Sequence, residues 1–249
     1  MQEVWEAYMK PMDGRPASVA FNAEVAQMLP DNEFAVVGYV KVRLGTPTPE
    51  GFVSEAEADE IGFIEDRLEM EALRYRIGKY VGRVVTGGEA HFIFYLKYDF
   101  EWPGVVAAAM GHFPEYAYES GSRADAQWEV YRKLLFPTAR EWQMIHNHHA
   151  CDRLRAAGDN LRLPRAIEHR VYFETEKARS QFAEAITKEG FKVQKEVPPS
   201  EKTPLYGLHF YRTDTPYYYD IDALTHALIA LGARFDGEYD GWETSLVRI

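Results

Sequence analysis

Phe235-Asp236-Gly237-Glu238-Tyr239-Asp240-Gly241-Trp242-Glu243-Thr244 lies near the C-terminal end of this 249-residue sequence. Two Asp-Gly steps flank Tyr239 and mark turns, because glycine adopts left-handed backbone conformations without steric cost. Upstream, Ile221, Leu224, Leu228 and Leu231 recur at three and four residues, which is one face of a helix, and Asp220 is placed to cap it. Downstream, residues 239–247 read as a strand. The stretch is therefore the connection from a helix into a last strand.

Working back from it, residues 205–213 and 191–197 read as strands, separated by a loop containing Pro198, Pro199 and Pro204. A helix carrying Ala178, Phe182, Ala185 and Ile186 on one face precedes them, with Thr175 as its N-cap and Gly190 as its stop. Residues 166–173 alternate: Ile167, His169 and Val171 point one way, Glu168, Arg170 and Tyr172 the other. The order strand, helix, strand, strand, helix, strand is the split βαβ arrangement of a ferredoxin-like sandwich.

The first half repeats that order. Residues 13–16 (Asp-Gly-Arg-Pro) form a turn before a short strand at 17–21. Residues 34–44 make a longer strand. Ser54 and Glu57 have capping-box spacing ahead of a helix whose stripe is Ile61, Ile64, Leu68, Ala72 and Tyr75. Strands at 80–85 and 91–100 flank a Gly87-Gly88 tip, a helix begins near Pro103, and a last strand covers 116–118. The expected fold class is α+β, two ferredoxin-like βαββαβ sandwiches joined by a helix. The domains are 1–137, a connecting helix and linker at 138–163, and 164–249.

Composition narrows the functional classes. Basic residues number 28 and acidic residues 39, a formal charge of −11. Residues 164–249 carry net −3 and residues 1–163 net −8. Broad binding to a phosphate backbone needs a basic footprint, so direct nucleic-acid binding is not expected. Cys151 is the single cysteine, so no intrachain disulfide forms and a reducing compartment suits the chain. Residues 1–6 have no basic or apolar leader pattern, and the longest apolar run, 105–110, is too short to span a bilayer. The expectation is a soluble cytoplasmic protein without a membrane partner.

Ile167-Glu168-His169, Gly190-Phe191-Lys192-Val193, Ile221-Asp222-Ala223-Leu224 and the Tyr239-Asp240-Gly241-Trp242 run together resemble the regulator of ribonuclease activity B family over residues 164–249. The first half, ending in Trp128-x-x-Tyr131 and Leu135-x-Pro137, resembles an uncharacterised bacterial domain found fused to such units. The resemblance implies a ferredoxin-like fold and a non-catalytic protein that binds a ribonuclease E-type endonuclease and modulates its cleavage of RNA. Candidate partner-binding residues are Glu168, His169, Tyr239, Asp240, Trp242 and Glu243, with the aromatics as anchors. A competing reading has Trp242 packing under a helix.

No catalytic motif appears, and no cofactor or metal is expected. The cluster His146-Asn147-His148-His149 with Cys151 and Asp152 divides on a helical wheel: His148 and Cys151 share a face, His146 and His149 lie elsewhere. Its four potential ligands therefore do not converge. The alternative function is a small-molecule- or metal-binding enzyme at the interdomain joint, lined by His146, His148, His149 and Glu168 or His169. A third reading, RNA stacking on Tyr172, Phe210 and Tyr211, conflicts with the acidic balance.

Overall fold

The computed structural model of the chain describes residues 4–201 and 203–248. It divides into two compact units, Met1–Glu141 and Trp142–Ile249. The first contains β1 (Trp5–Met12), β2 (Arg15–Asn22), a 3-10 turn (Ala23–Met28), β3 (Val36–Arg43), α1 (Ala58–Arg74), β4 (Gly78–Thr86), β5 (Glu89–Leu96), α2 (Trp102–Met110), β6 (Tyr118–Ala124) and a π turn (Tyr131–Leu135). The strands form one antiparallel sheet in the order β1-β2-β4-β5-β3-β6. Its β4-β5-β3-β6 portion is the ferredoxin-like arrangement, extended at one edge by the β1–β2 hairpin. Val40, Val42, Phe92 and Phe94 meet Ile61, Ile64, Leu68 and Val105 of the two helices in a shared core.

Strand β1 has no counterpart in the sequence reading. It is an edge strand in which only Tyr8 is buried, and Pro11 interrupts it, so no apolar alternation reveals it. Its signal was the Asp13-Gly14 turn, where φ is 50° and 76°, as a two-residue hairpin of type I′ requires. Strand β6 also departs from expectation: it covers Tyr118–Ala124 rather than 116–118. Its side chains are largely exposed, so packing leaves no pattern in them. The Tyr39 ring instead covers Gly121, where a Cβ would lie 2.6 Å from the Tyr39 hydroxyl.

The capping box expected at Ser54 and Glu57 does not form. Glu57 turns back on the preceding loop, where its carboxylate accepts from Gly45 N at 2.6 Å and Thr46 N at 2.9 Å. Burial alone raises its pKa, but these N–H groups outweigh it and hold the carboxyl below its usual range. A reciprocal box forms further on: Thr138 N donates to Glu141 Oε2 at 2.7 Å and Glu141 N to Thr138 Oγ1 at 3.3 Å. It opens the helix α3 (Ala139–Ala156).

Residues 125–136 clamp onto the first sheet. Trp128 stacks on Tyr95 with centroids 3.6 Å apart. The Tyr95 hydroxyl donates to Asp125 Oδ2 at 2.5 Å, and Asp125 accepts from the Glu129 and Val130 amides at 2.8 and 2.9 Å. Trp128, Tyr131 and Leu135 are all fully buried, which gives those marks of the sequence a packing role.

All but the first three residues of α3 lie in the second unit, followed by β7 (Arg165–Phe173), α4 (Glu176–Lys188), β8 (Lys192–Val197), β9 (Tyr206–Asp214), α5 (Tyr218–Ala233) and β10 (Gly237–Thr244). The sheet order is β10-β7-β9-β8, antiparallel throughout, so the second unit is ferredoxin-like as expected. Val171, Phe173, Leu208 and Phe210 pack against Phe182, Ile186 and Leu228 of the helices. Thr175 caps α4 by accepting from Ala178 N at 3.2 Å. Asp220 does not cap α5; Tyr217 occupies that position and Asp220 sits in the first turn, where the helix dipole favours a carboxylate. No helix among the described residues is long and apolar enough to cross a membrane.

Candidate interaction site on the last strand

The turn before β10 depends on Asp236, at φ 54°, and a bulge follows at Asp240, where the pairing with β7 shifts between Tyr239 and Gly241. A bulge adds one residue to one strand and re-aims its side chains. After it, Trp242 stands opposite His169 and Glu243 opposite Glu168. The six candidate residues therefore separate onto two faces of the β7–β10 pair.

His169, Tyr239 and Trp242 face the helices. His169 is fully buried against Phe210 and Phe191, and its Nδ1 lies 2.8 Å from the Tyr239 hydroxyl. Burial pushes its pKa down to about 3, and the Arg212 charge acts the same way, so the ring is neutral. Burial likewise raises the Tyr239 phenol far above its ordinary value. His169 belongs to the interior, and Tyr239 packs partly buried against the same core. Trp242 is half-buried among Cys151, Leu161, Ile167 and Ile221, and one side of it lines a shallow cleft of about 260 Å³ with Ala150, Arg153 and Leu154 of α3. Its indole N–H donates to Asn147 Oδ1 at 2.8 Å.

Glu168, Asp240 and Glu243 face the other way, on the side of the sheet that the helices leave open. Arg170 forks between two of them, 3.6 Å from Asp240 and 3.4 Å from Glu243. Asp240, Glu243 and the neighbouring Glu238 are exposed on this edge strand. Glu243 also belongs to the cleft beside Trp242, so the acidic rim and the aromatic wall meet there.

Sequence reasoning passed over Asn147, which organises the second unit's helices. It is fully buried, and its amide makes four bonds: Nδ2 donates to Asp222 Oδ1 and Thr225 Oγ1, while Oδ1 accepts from Gln143 and Trp242, all at 2.8 Å. Beside it, His148 Nε2 lies 2.9 Å from Asp222 Oδ2, and this hydrogen bond raises the His148 pKa. The histidine run drew attention to its rings, but the asparagine between them holds α3 to α5 and β10. His146 stacks near Trp142, with centroids 5.8 Å apart. Among the described residues no three His, Cys, Asp or Glu side chains gather as metal ligands.

His148–Asp222 next to Cys151 has the composition of a nucleophile with its base. The chemistry does not follow. Cys151 is fully buried, its Sγ donates to Pro216 O at 3.3 Å, and burial pushes its pKa up to about 12. A thiol nucleophile acts as thiolate, which this environment suppresses. The stacking platform for RNA is also incomplete: Phe210 is fully buried on the helix-covered face, leaving only Tyr172 and Tyr211 half-exposed.

Residues 144–244 match the model of the family described as Regulator of ribonuclease activity B. Residues 3–136 match the one described as Family of unknown function (DUF695). No curated protein matches the chain. A solved structure titled "Crystal Structure of an Unknown Protein from Galdieria sulphuraria" aligns with 85% of this chain and 99% of its own, at 9% identity and a TM-score of 0.23.

Proposed function

For a chain that belongs to the Family of unknown function (DUF695) through residues 3–136, we propose that the second unit is a non-catalytic, cytoplasmic protein-binding module that regulates ribonuclease activity. The observation that carries this reading is the match of residues 144–244 to the Regulator of ribonuclease activity B model. Its partner in this reading is a ribonuclease E-type endonuclease. The docking surface is the cleft wall at Trp242 with the acidic rim of Glu168, Asp240 and Glu243, which suits a basic protein surface. His169 and Tyr239 hold the strand in place from inside. The suppressed Cys151 thiol supports a binding role over nucleophilic chemistry, and an unpaired cysteine suits a reducing cytoplasm.

The test is cleavage of a structured RNA by a purified ribonuclease E-type enzyme with and without the full chain, alongside a direct binding titration. Binding at micromolar concentration with altered cleavage is expected. The double reversal Asp240→Lys/Glu243→Lys should weaken binding about tenfold or more while leaving the fold intact, because both side chains are exposed. Unchanged cleavage and no binding at about 50 µM would rule the reading out.

A further inference from the structure

The outer face of α1 carries three large apolar side chains in solvent: Phe63, Met70 and Leu73, at 57, 58 and 71% exposure. The helix buries Ile61, Ile64, Leu68 and Ala72 on its inner side. At about 100° per residue, Phe63 and Met70 project within about 20° of each other, opposite that buried stripe, and Leu73 flanks them. A surface helix normally reserves this sector for polar residues. The apolar strip continues beside Leu73 into a depression of about 290 Å³ whose lining includes Val25, Met28 and Glu69, with Met28 52% exposed.

Charge along the same sector is ordered. Asp59 and Glu60 lie in the first turn and are exposed; Asp66 is exposed at mid-helix, beside Arg67, which pairs with Glu71 at 3.0 Å. Arg74 closes the C-terminal end with a side chain 73% exposed, a 3.5 Å contact to Glu71 and its guanidinium 6.0 Å from the Tyr75 ring centre. A helix that is acidic in its first turn and basic in its last, with Phe63 and Met70 exposed between them, brings opposite charges together at both ends when two copies run antiparallel. Gly62, with nothing within 4 Å of a built Cβ, leaves open space on this side.

We propose that this face is a self-association surface, and that the partner of α1 is the α1 of a second copy of the chain, packed antiparallel about a two-fold axis. Phe63 of one copy meets Met70 and the Leu73 depression of the other, and Asp59 meets Arg74 at each end. A single 17-residue helix and its immediate surroundings offer less than the roughly 800 Å² per partner of a standard interface, so the dimer is weak and exchanges with monomer at micromolar concentration.

Sedimentation velocity of the full chain across about 1 to 200 µM tests it. A shift from monomer to dimer across this range is expected. Phe63→Ser with Met70→Ser should weaken dimerisation at least tenfold, and circular dichroism should show the fold unchanged because both side chains lie outside the core. Asp59→Lys alone should weaken it by a similar factor through like-charge contact with Arg74. Asp59→Lys combined with Arg74→Glu should restore it, since complementarity is re-created with the signs exchanged. A chain that stays monomeric at about 200 µM overturns the proposal. So does a dimer indifferent to the Phe63 and Met70 substitutions, a charge reversal without rescue, or capture through this face of a different protein while the chain remains monomeric.

Discussion

Replacing His169 and Tyr239 together by phenylalanine should make the second unit resistant to mild acid. His169 is fully buried, and its pKa falls to about 3 through burial and the Arg212 charge, against 6.5 for the free side chain. Below pH 6.5 the unfolded chain binds a proton that the native chain refuses, so native stability falls as pH drops towards 3. The slope is about 1.4 kcal/mol per pH unit, which amounts to about 2 kcal/mol between pH 6.5 and 5. The double substitution keeps two rings of similar volume and removes both ends of the 2.8 Å hydrogen bond, leaving neither group unsatisfied. At pH 7 the variant should therefore lie within about 1 kcal/mol of the parent chain. Hydrogen exchange at the Val171 and Leu208 amides, in the strands around His169, reads opening of this unit directly. The parent should lose protection between pH 6.5 and 5 by the stated amount and the variant should not. Equal losses in both proteins would refute a buried neutral His169 as the acid-sensitive group.

His148 works in the opposite direction: Asp222 raises its pKa, so its contribution is complete below pH 6.5 and fades as pH rises through the elevated value. His148→Gln should flatten the decline in thermal stability as pH rises above 6.5, measured by melting curves in matched buffers. Asn147→Ala leaves the Asp222, Thr225, Gln143 and Trp242 groups short of a partner and should cost about 2–4 kcal/mol in urea unfolding, far more than His146→Ala. Trp128→Ala removes a fully buried ring stacked on Tyr95 and should cost the first unit about 3–5 kcal/mol, read from Trp102 and Trp5 fluorescence during unfolding.

Asn147 shows why part of the candidate site could not be read in the chain. Four bonds converge on one amide from Gln143 four residues away, Asp222 and Thr225 on another helix, and Trp242 on a strand. Helical periodicity reports only that Asn147 faces inward or outward, and says nothing of partners 75 to 95 residues distant. The same limit applies to Glu57. Its spacing from Ser54 suits a capping box, but the Gly45–Thr46 loop brought alongside offers two amide donors and takes the carboxylate. Trp242 packs against α3 on one side, as one expectation had it, and lines a cleft on the other.

By itself the sequence determined the two six-element orders, the faces of α4 and β7, the face of α1 except Tyr75, which is exposed at the helix C-cap, and the turns around Tyr239, since each depends on a local period of 3.6 or 2 or on a residue able to reach positive φ. Edge strands escaped it, because β1 and β6 bury too little to need an apolar pattern. Tertiary structure alone decided which side of β10 each candidate occupies. The bulge at Asp240 adds one residue to the strand and sets Trp242 and Glu243 on opposite faces in register with His169 and Glu168. The opening Phe235–Thr244 stretch names the strand, but only pairing with β7 turns its aromatics towards the helices and its carboxylates towards the open face of the sheet.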